Sequence, residues 1–174
     1  MNTGPIVMFD VDGVLAEFIL GFTTLAHDMF PDVPITTTPE QPKWDGFPGM
    51  TREQVNLVWR EIEKSNKFWA ELPALPIPHG DICDLQLRAQ VYFVTNRKGL
   101  NVVEQTKRWL WNNGIECPDV MAAGLKGEIA RGLNANYMLD DKAGNVLHAY
   151  YHNLDRKKRD GSPAFQKLRP RQAL

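Results

Sequence analysis

A short apolar run, Ile6, Val7, Met8 and Phe9, breaks off in Asp10, and Asp12 and Gly13 follow after one further residue. Four apolar residues without helical spacing are the pattern of a strand buried on both faces, as in a parallel sheet. Similar runs recur at 91–94, 120–122 and 137–139, and two of them also end in polar clusters, Thr95-Asn96-Arg97 and Asp140-Asp141. Helical spacing fills the gaps: through Ile82, Leu85 and Leu87, over 101–113 with Gly114 as a left-handed stop, and over 126–133. Strands alternating with helices predict an α/β fold, a three-layer α/β/α arrangement around a parallel sheet. There the carboxyl ends of the strands share one edge, where open α/β sheets bind ligands, so the three polar clusters converge.

Between the first and second runs the pattern changes. Phe18, Phe22, Leu25 and Met29 give a helical, aromatic stretch, and the prolines between 31 and 48 predict loop. Thr51 opens another helix, with Gln54 placed to complete a capping box and Val55, Val58, Trp59 and Ile62 on one face. It fades near Asn66, and Pro73, Pro76 and Pro78 stiffen the return. Residues 17–78 therefore read as a small helical cap inserted after the first strand, with 1–16 and 79–154 as the core and 155–174 as a basic tail. Trp109 and Trp111 flank Leu110 and cannot share one side of a helix, which leaves at least one partly exposed or at an interface such as a homodimer.

Composition narrows the class without naming a reaction. The 174 residues, 43% apolar, suit one soluble domain with a modest insertion. Five residues precede the first strand and no apolar run is long enough for a bilayer, so a cytoplasmic protein without membrane contact is expected. Cys83 and Cys117 match no metal spacing and are expected as reduced thiols. From Asp155 onward seven lysines and arginines stand against two aspartates, so that end carries +5 and the rest −6. Such a tail is either a solvated end or a contact for nucleic acid, the first being the commoner use. His148 and His152 share a helical face but lack a third ligand.

The spacing Asp10-x-Asp12-Gly13 fits a simple turn. It also fits a cation site, because close carboxylates repel unless neutralised and hard oxygen donors suit Mg²⁺. The other clusters tip this toward phosphate chemistry, which depends mainly on positioning and charge neutralisation. A carboxylate such as Asp10 can attack phosphorus directly and split one displacement into two. A second carboxyl group, Asp12, can protonate the leaving oxygen and then activate water. Mg²⁺ on Asp10, Asp12 and Asp140, with Asp141 in support, would offset repulsion among the anions. Thr95, Asn96 and Lys126 are candidates for the remaining phosphate oxygens.

Taken in order, DVDGV, Thr95, Lys126 and Leu139-Asp140-Asp141 resemble the four motifs of the haloacid dehalogenase-like phosphatases. The resemblance implies a Rossmann-like core, Asp10 as nucleophile, Asp12 as general acid/base, and Mg²⁺ held also by the Asp12 backbone carbonyl. Within that superfamily the chain looks most like the 5′(3′)-deoxyribonucleotidases, through DVDGVLAEF, Lys43-Trp44, the helix bearing Trp59, and NKFWAEL at 66–72. This likeness implies a helical cap whose aromatic residues Phe18, Trp44, Trp59 and Phe68 stack on a nucleotide base. Trp59 equally fits a core position beside Val55 and Ile62. After Thr95 the chain departs from the family's Ser-Pro-type sequence, so Asn96 and Arg97 either replace phosphate or ribose contacts or, for Arg97, point to solvent.

The reading that follows is a Mg²⁺-dependent phosphatase acting on small nucleoside monophosphates such as dUMP or dTMP through an aspartyl-phosphate. Its competitors are the same chemistry on a sugar phosphate or a nucleic-acid phosphate end, and a nucleotide-binding module that does not turn over.

Overall fold

The computed structural model describes residues 4–35, 47–76 and 79–150. Trp44, His152 and the basic tail 155–174 lie outside them. The elements run β1 (Ile6–Asp10), α1 (Phe18–Met29), α2 (Arg52–Lys64), a 3-10 turn (Phe68–Ala70), α3 (His79–Gln86), β2 (Gln90–Thr95), α4 (Val102–Asn112), β3 (Asp119–Ala122), α5 (Lys126–Leu133), β4 (Tyr137–Leu139) and a last helix, α6, at 143–150. All strand pairings are parallel, in the order β3-β2-β1-β4. β1 lies at the switch point: the chain leaves it toward β2 and β3 on one side and returns to β4 on the other. Its last residue, Asp10, pairs in register with Val94 and opens onto the crevice where such sheets bind ligands.

Side-chain alternation along the strands builds a core on each face. Val7, Phe9, Val91 and Phe93 pack with Ile82 of α3 and with Trp109 and Leu110 of α4. Met8, Val94 and Met138 face the other way, onto Ala130 of α5 and Val146 and Ala149 of α6. The predicted α/β/α layering is thus present. Of the two tryptophans on α4, Trp109 is buried and Trp111 is 60% exposed, the split that their spacing requires.

The insertion shares the first of these cores rather than forming its own: Phe18, Phe22, Val55, Val58, Ile62 and Trp69 belong to the same apolar cluster as Phe93 and Leu110. The capping box forms, with Thr51 Oγ1 accepting from Gln54 N–H and Gln54 Oε1 accepting from Thr51 N–H. Polar bonds then pin this segment to α4 and the loop before it. Gln105 accepts from Trp69 N–H at 3.1 Å and donates to the carbonyls of Ser65 and Leu100, while the Trp109 indole donates to Leu72 O at 2.6 Å. At Gly99 the end of α2 comes so close that an added Cβ would lie 2.4 Å from Glu63 O, and φ there is +109°, so only glycine fits without strain.

Candidate active site

Asp10 ends β1 with its side chain 5% exposed, against the Nζ of Lys126, the first residue of α5. The same ammonium lies 3.4 Å from Asp140 Oδ2, beyond the end of β4. Asp140 is fixed from its far side by Asn145 Nδ2, at 3.0 and 2.9 Å from its two oxygens, and by Lys142 N–H at 2.8 Å. Asp141 sits over Gly13, where an added Cβ would meet Asp141 Oδ2 at 2.6 Å. Carboxylate oxygens from Asp10, Asp140 and Asp141 all fall within 4.8 Å of one another. Burial raises Asp10 to a pKa of about 7; Lys126 opposes that rise and Asp140 adds to it. Asp141 is raised as well, by partial burial of its carboxylate and by Asp140 beside it.

Three converging carboxylates with one oxygen each to offer are a donor set that could hold a hard divalent cation. The Asp12 carboxylate is not among them. It turns the other way, into a fork from Arg97: Nη2 donates to Oδ1 at 2.8 Å and Nε reaches both oxygens at 3.1 and 3.0 Å. Thr95 Oγ1 donates to Asp12 Oδ2 at 3.2 Å and accepts from Arg97 N–H at the same distance. The expected arrangement therefore changes at Asp12, whose carboxylate leaves the expected Mg²⁺ set, and at Thr95. Thr95, fully buried, directs its hydroxyl to Asp12 instead of into the crevice. Arg97, which the sequence left between a phosphate or ribose contact and a solvent-facing charge, is buried, with a guanidinium already committed to protein partners.

A cleft of about 400 Å³ opens over these acids, a size that suits a small molecule. Asp10, Asp12, Asn96, Lys126 and Asp141 form its floor with Arg97, and Phe18, Trp59 and Trp69 contribute an aromatic wall, joined by Asn56, Glu63, Lys98 and Lys142. Phe18 stacks near-parallel on Trp59 at 5.4 Å and on Trp69 at 5.7 Å and is only 2% exposed, so it presents an edge, not a free face. Phe68 packs edge-on against Phe18 and Trp69, behind the lining residues. Among the described aromatic candidates, half-buried Trp59 is the one with surface left to offer to the cleft, since Phe68, equally half-buried, does not line it.

No sequence motif singles out Asn145, Asn56, Glu63 or Lys142. Asn145 carried one usable signal, an amide in the first turn of a helix that starts just past Asp140. Asn56 and Glu63 lie near Trp59 at helical spacing, but nothing local marks that side of α2 as facing a cleft.

No family model matches this sequence, and no curated protein sequence matches it either. Solved structures do share its fold. A haloacid dehalogenase-like family hydrolase from Streptococcus pneumoniae superposes with a TM-score of 0.54 at 12% identity, over 87% of this chain and 82% of that one. A haloacid dehalogenase-like hydrolase from Burkholderia xenovorans gives 0.55 at 14% identity, over 95% and 92%. At such identities the likeness is one of fold. No helix among the described residues is long and apolar enough to cross a membrane.

Proposed function

We propose that the protein is a Mg²⁺-dependent phosphomonoester hydrolase that works through an aspartyl-phosphate on Asp10, with nucleoside monophosphates, deoxyribonucleotides among them, as substrates. One observation carries the reading: a buried carboxylate at the switch point of a haloacid dehalogenase-like fold, facing an ammonium and two further acids on one side and a separately mounted acid on the other.

The residues divide the work. Asp10 Oδ attacks phosphorus, and the bond to the ester oxygen breaks as Asp12 gives that oxygen a proton. Water then attacks the aspartyl-phosphate, Asp12 takes its proton, and the bond between phosphorus and Asp10 breaks to release inorganic phosphate. Lys126, at the amino end of α5, contributes positive charge to the phosphate oxygens. A divalent ion on Asp10, Asp140 and Asp141 supplies, when bound, neutralisation of the clustered anions. Trp59 gives the leaving group an aromatic platform, which favours a planar base over an unsubstituted sugar.

Purified protein is expected to release phosphate from dUMP or dTMP with Mg²⁺ and to lose this on chelation, and Asp10→Asn should abolish it. Release by Asp10→Asn at the parental rate would overturn the nucleophile assignment. A panel that also holds sugar phosphates and phosphorylated oligonucleotide ends tests the substrate class, and preference for either of those would displace the nucleotide reading.

A further inference from the structure

Among the described residues Arg97 has an unusually heavily engaged polar side chain, and the chemistry above leaves it without a task. Its side chain is wholly buried while that of Asp12, its partner, stays 16% exposed at the cleft. One edge of the guanidinium holds both Asp12 oxygens. On the far edge Nη1 donates to Thr106 Oγ1 at 2.9 Å and to Trp69 O at 3.3 Å, and Thr106 donates in turn to Val102 O at 2.7 Å within α4. Trp69 also lies beneath the guanidinium, its ring centroid 5.0 Å from Cζ. Trp69 also stacks on Phe18 in the aromatic wall, and Phe18 stacks in turn on Trp59. A guanidinium saturated in this way has little left for a substrate phosphate, and the planar fork fixes the direction of a carboxylate as a point charge does not.

We propose that Arg97 is a positioning residue for Asp12: it locks the carboxylate that serves the leaving group, and it takes its own position from Thr106 and from Trp69 of the insertion. The insertion therefore mounts the proton donor as well as walling the cleft. This rests on the phosphatase reading of the site, in which Asp12 protonates the ester oxygen.

That role has a signature that a merely structural arginine lacks. An alkyl phosphate needs a proton on its leaving oxygen, whereas p-nitrophenolate departs without one. For a two-step reaction kcat/KM reports events only up to formation of the aspartyl-phosphate, so it isolates the step in which Asp12 acts as an acid. In Arg97→Ala, kcat/KM for an alkyl phosphate should fall about 100-fold further than kcat/KM for p-nitrophenyl phosphate, within the range that a placed general acid supplies. Arg97→Lys keeps the charge without the fork and should fall between Arg97→Ala and the parent. Thr106→Val removes one far-edge bond in a near-isosteric change, so it should shift the ratio the same way by a smaller factor, even where the Arg97 variants fold poorly. Equal losses on the two esters, or a rise in KM with the ratio unchanged, would overturn the positioning role and leave the phosphatase reading intact. Parental protein that hydrolyses neither ester overturns the phosphatase reading itself, and this inference with it.

Discussion

The Lys126 ammonium touches the carboxylate of Asp10 at a point where both side chains are 5% exposed. Water does little there to separate like charges, so this one cation moderates the repulsion between Asp10 and Asp140. Lys126→Met is expected to destabilise the metal-free protein by about 3 to 5 kcal/mol, the usual scale for stripping one partner from a buried charged group. Mg²⁺ should then raise the melting temperature of the variant more than that of the parent, since it restores the missing positive charge. Thermal melts with and without Mg²⁺ check this, and equal shifts would count against a shared site.

Stability should also respond to pH through Asp10. The carboxyl keeps its proton up to about pH 7 in the folded chain, against about 4 in an unfolded one. Between those values the folded state binds more protons, so this contribution is fully present at low pH and is lost as pH rises through about 7. Cation binding needs the ionised form and opposes that loss. Melting curves should therefore show a larger Mg²⁺-induced shift at about pH 8 than at about pH 6. A shift independent of pH would mean that Asp10 is not a ligand.

Trp59 makes a separable contribution. Trp59→Ala should raise KM for a nucleoside monophosphate by about 10- to 100-fold, from the ~1 to 3 kcal/mol of a base–aromatic stack. The effect on a small aliphatic phosphate should be much smaller. Steady-state kinetics on the two substrates decide it, and equal effects would return Trp59 to a purely structural role beside Phe18.

Gly99→Ala tests the seam between α2 and the loop that carries Arg97. The new methyl would press on the Glu63 carbonyl at a φ that side chains rarely adopt, for a loss of about 2 to 4 kcal/mol. Urea unfolding should show it as a lower midpoint with an unchanged slope.

Much of this was legible in the sequence because it rests on local signals. Asp10, Lys126 and Asp140 each stand where an apolar run or a helix begins or ends, and parallel connectivity then brings such ends together whatever the chain between them does. The capping box at Thr51 and the opposed faces of Trp109 and Trp111 are likewise local. Arg97 was not legible in the same way. A charged residue two positions past a strand is ordinarily solvated, and its burial depends on Trp69 and Thr106, which reach it from separate elements. Phe18 illustrates the same limit: its spacing marks an aromatic at the cleft, but its two stacked neighbours come from elsewhere in the chain and leave it only an edge.

The bonds from Gln105 and Trp109 to residues 65–72, and the close approach at Gly99, bear on timing as well as on shape. A wall fastened by buried polar contacts meets its ordering entropy once, when the chain folds, rather than at every encounter with a ligand. In the proposed reaction, discrimination between substrates would then rest on whether a leaving group fits a standing aperture, instead of on whether its binding energy suffices to close one.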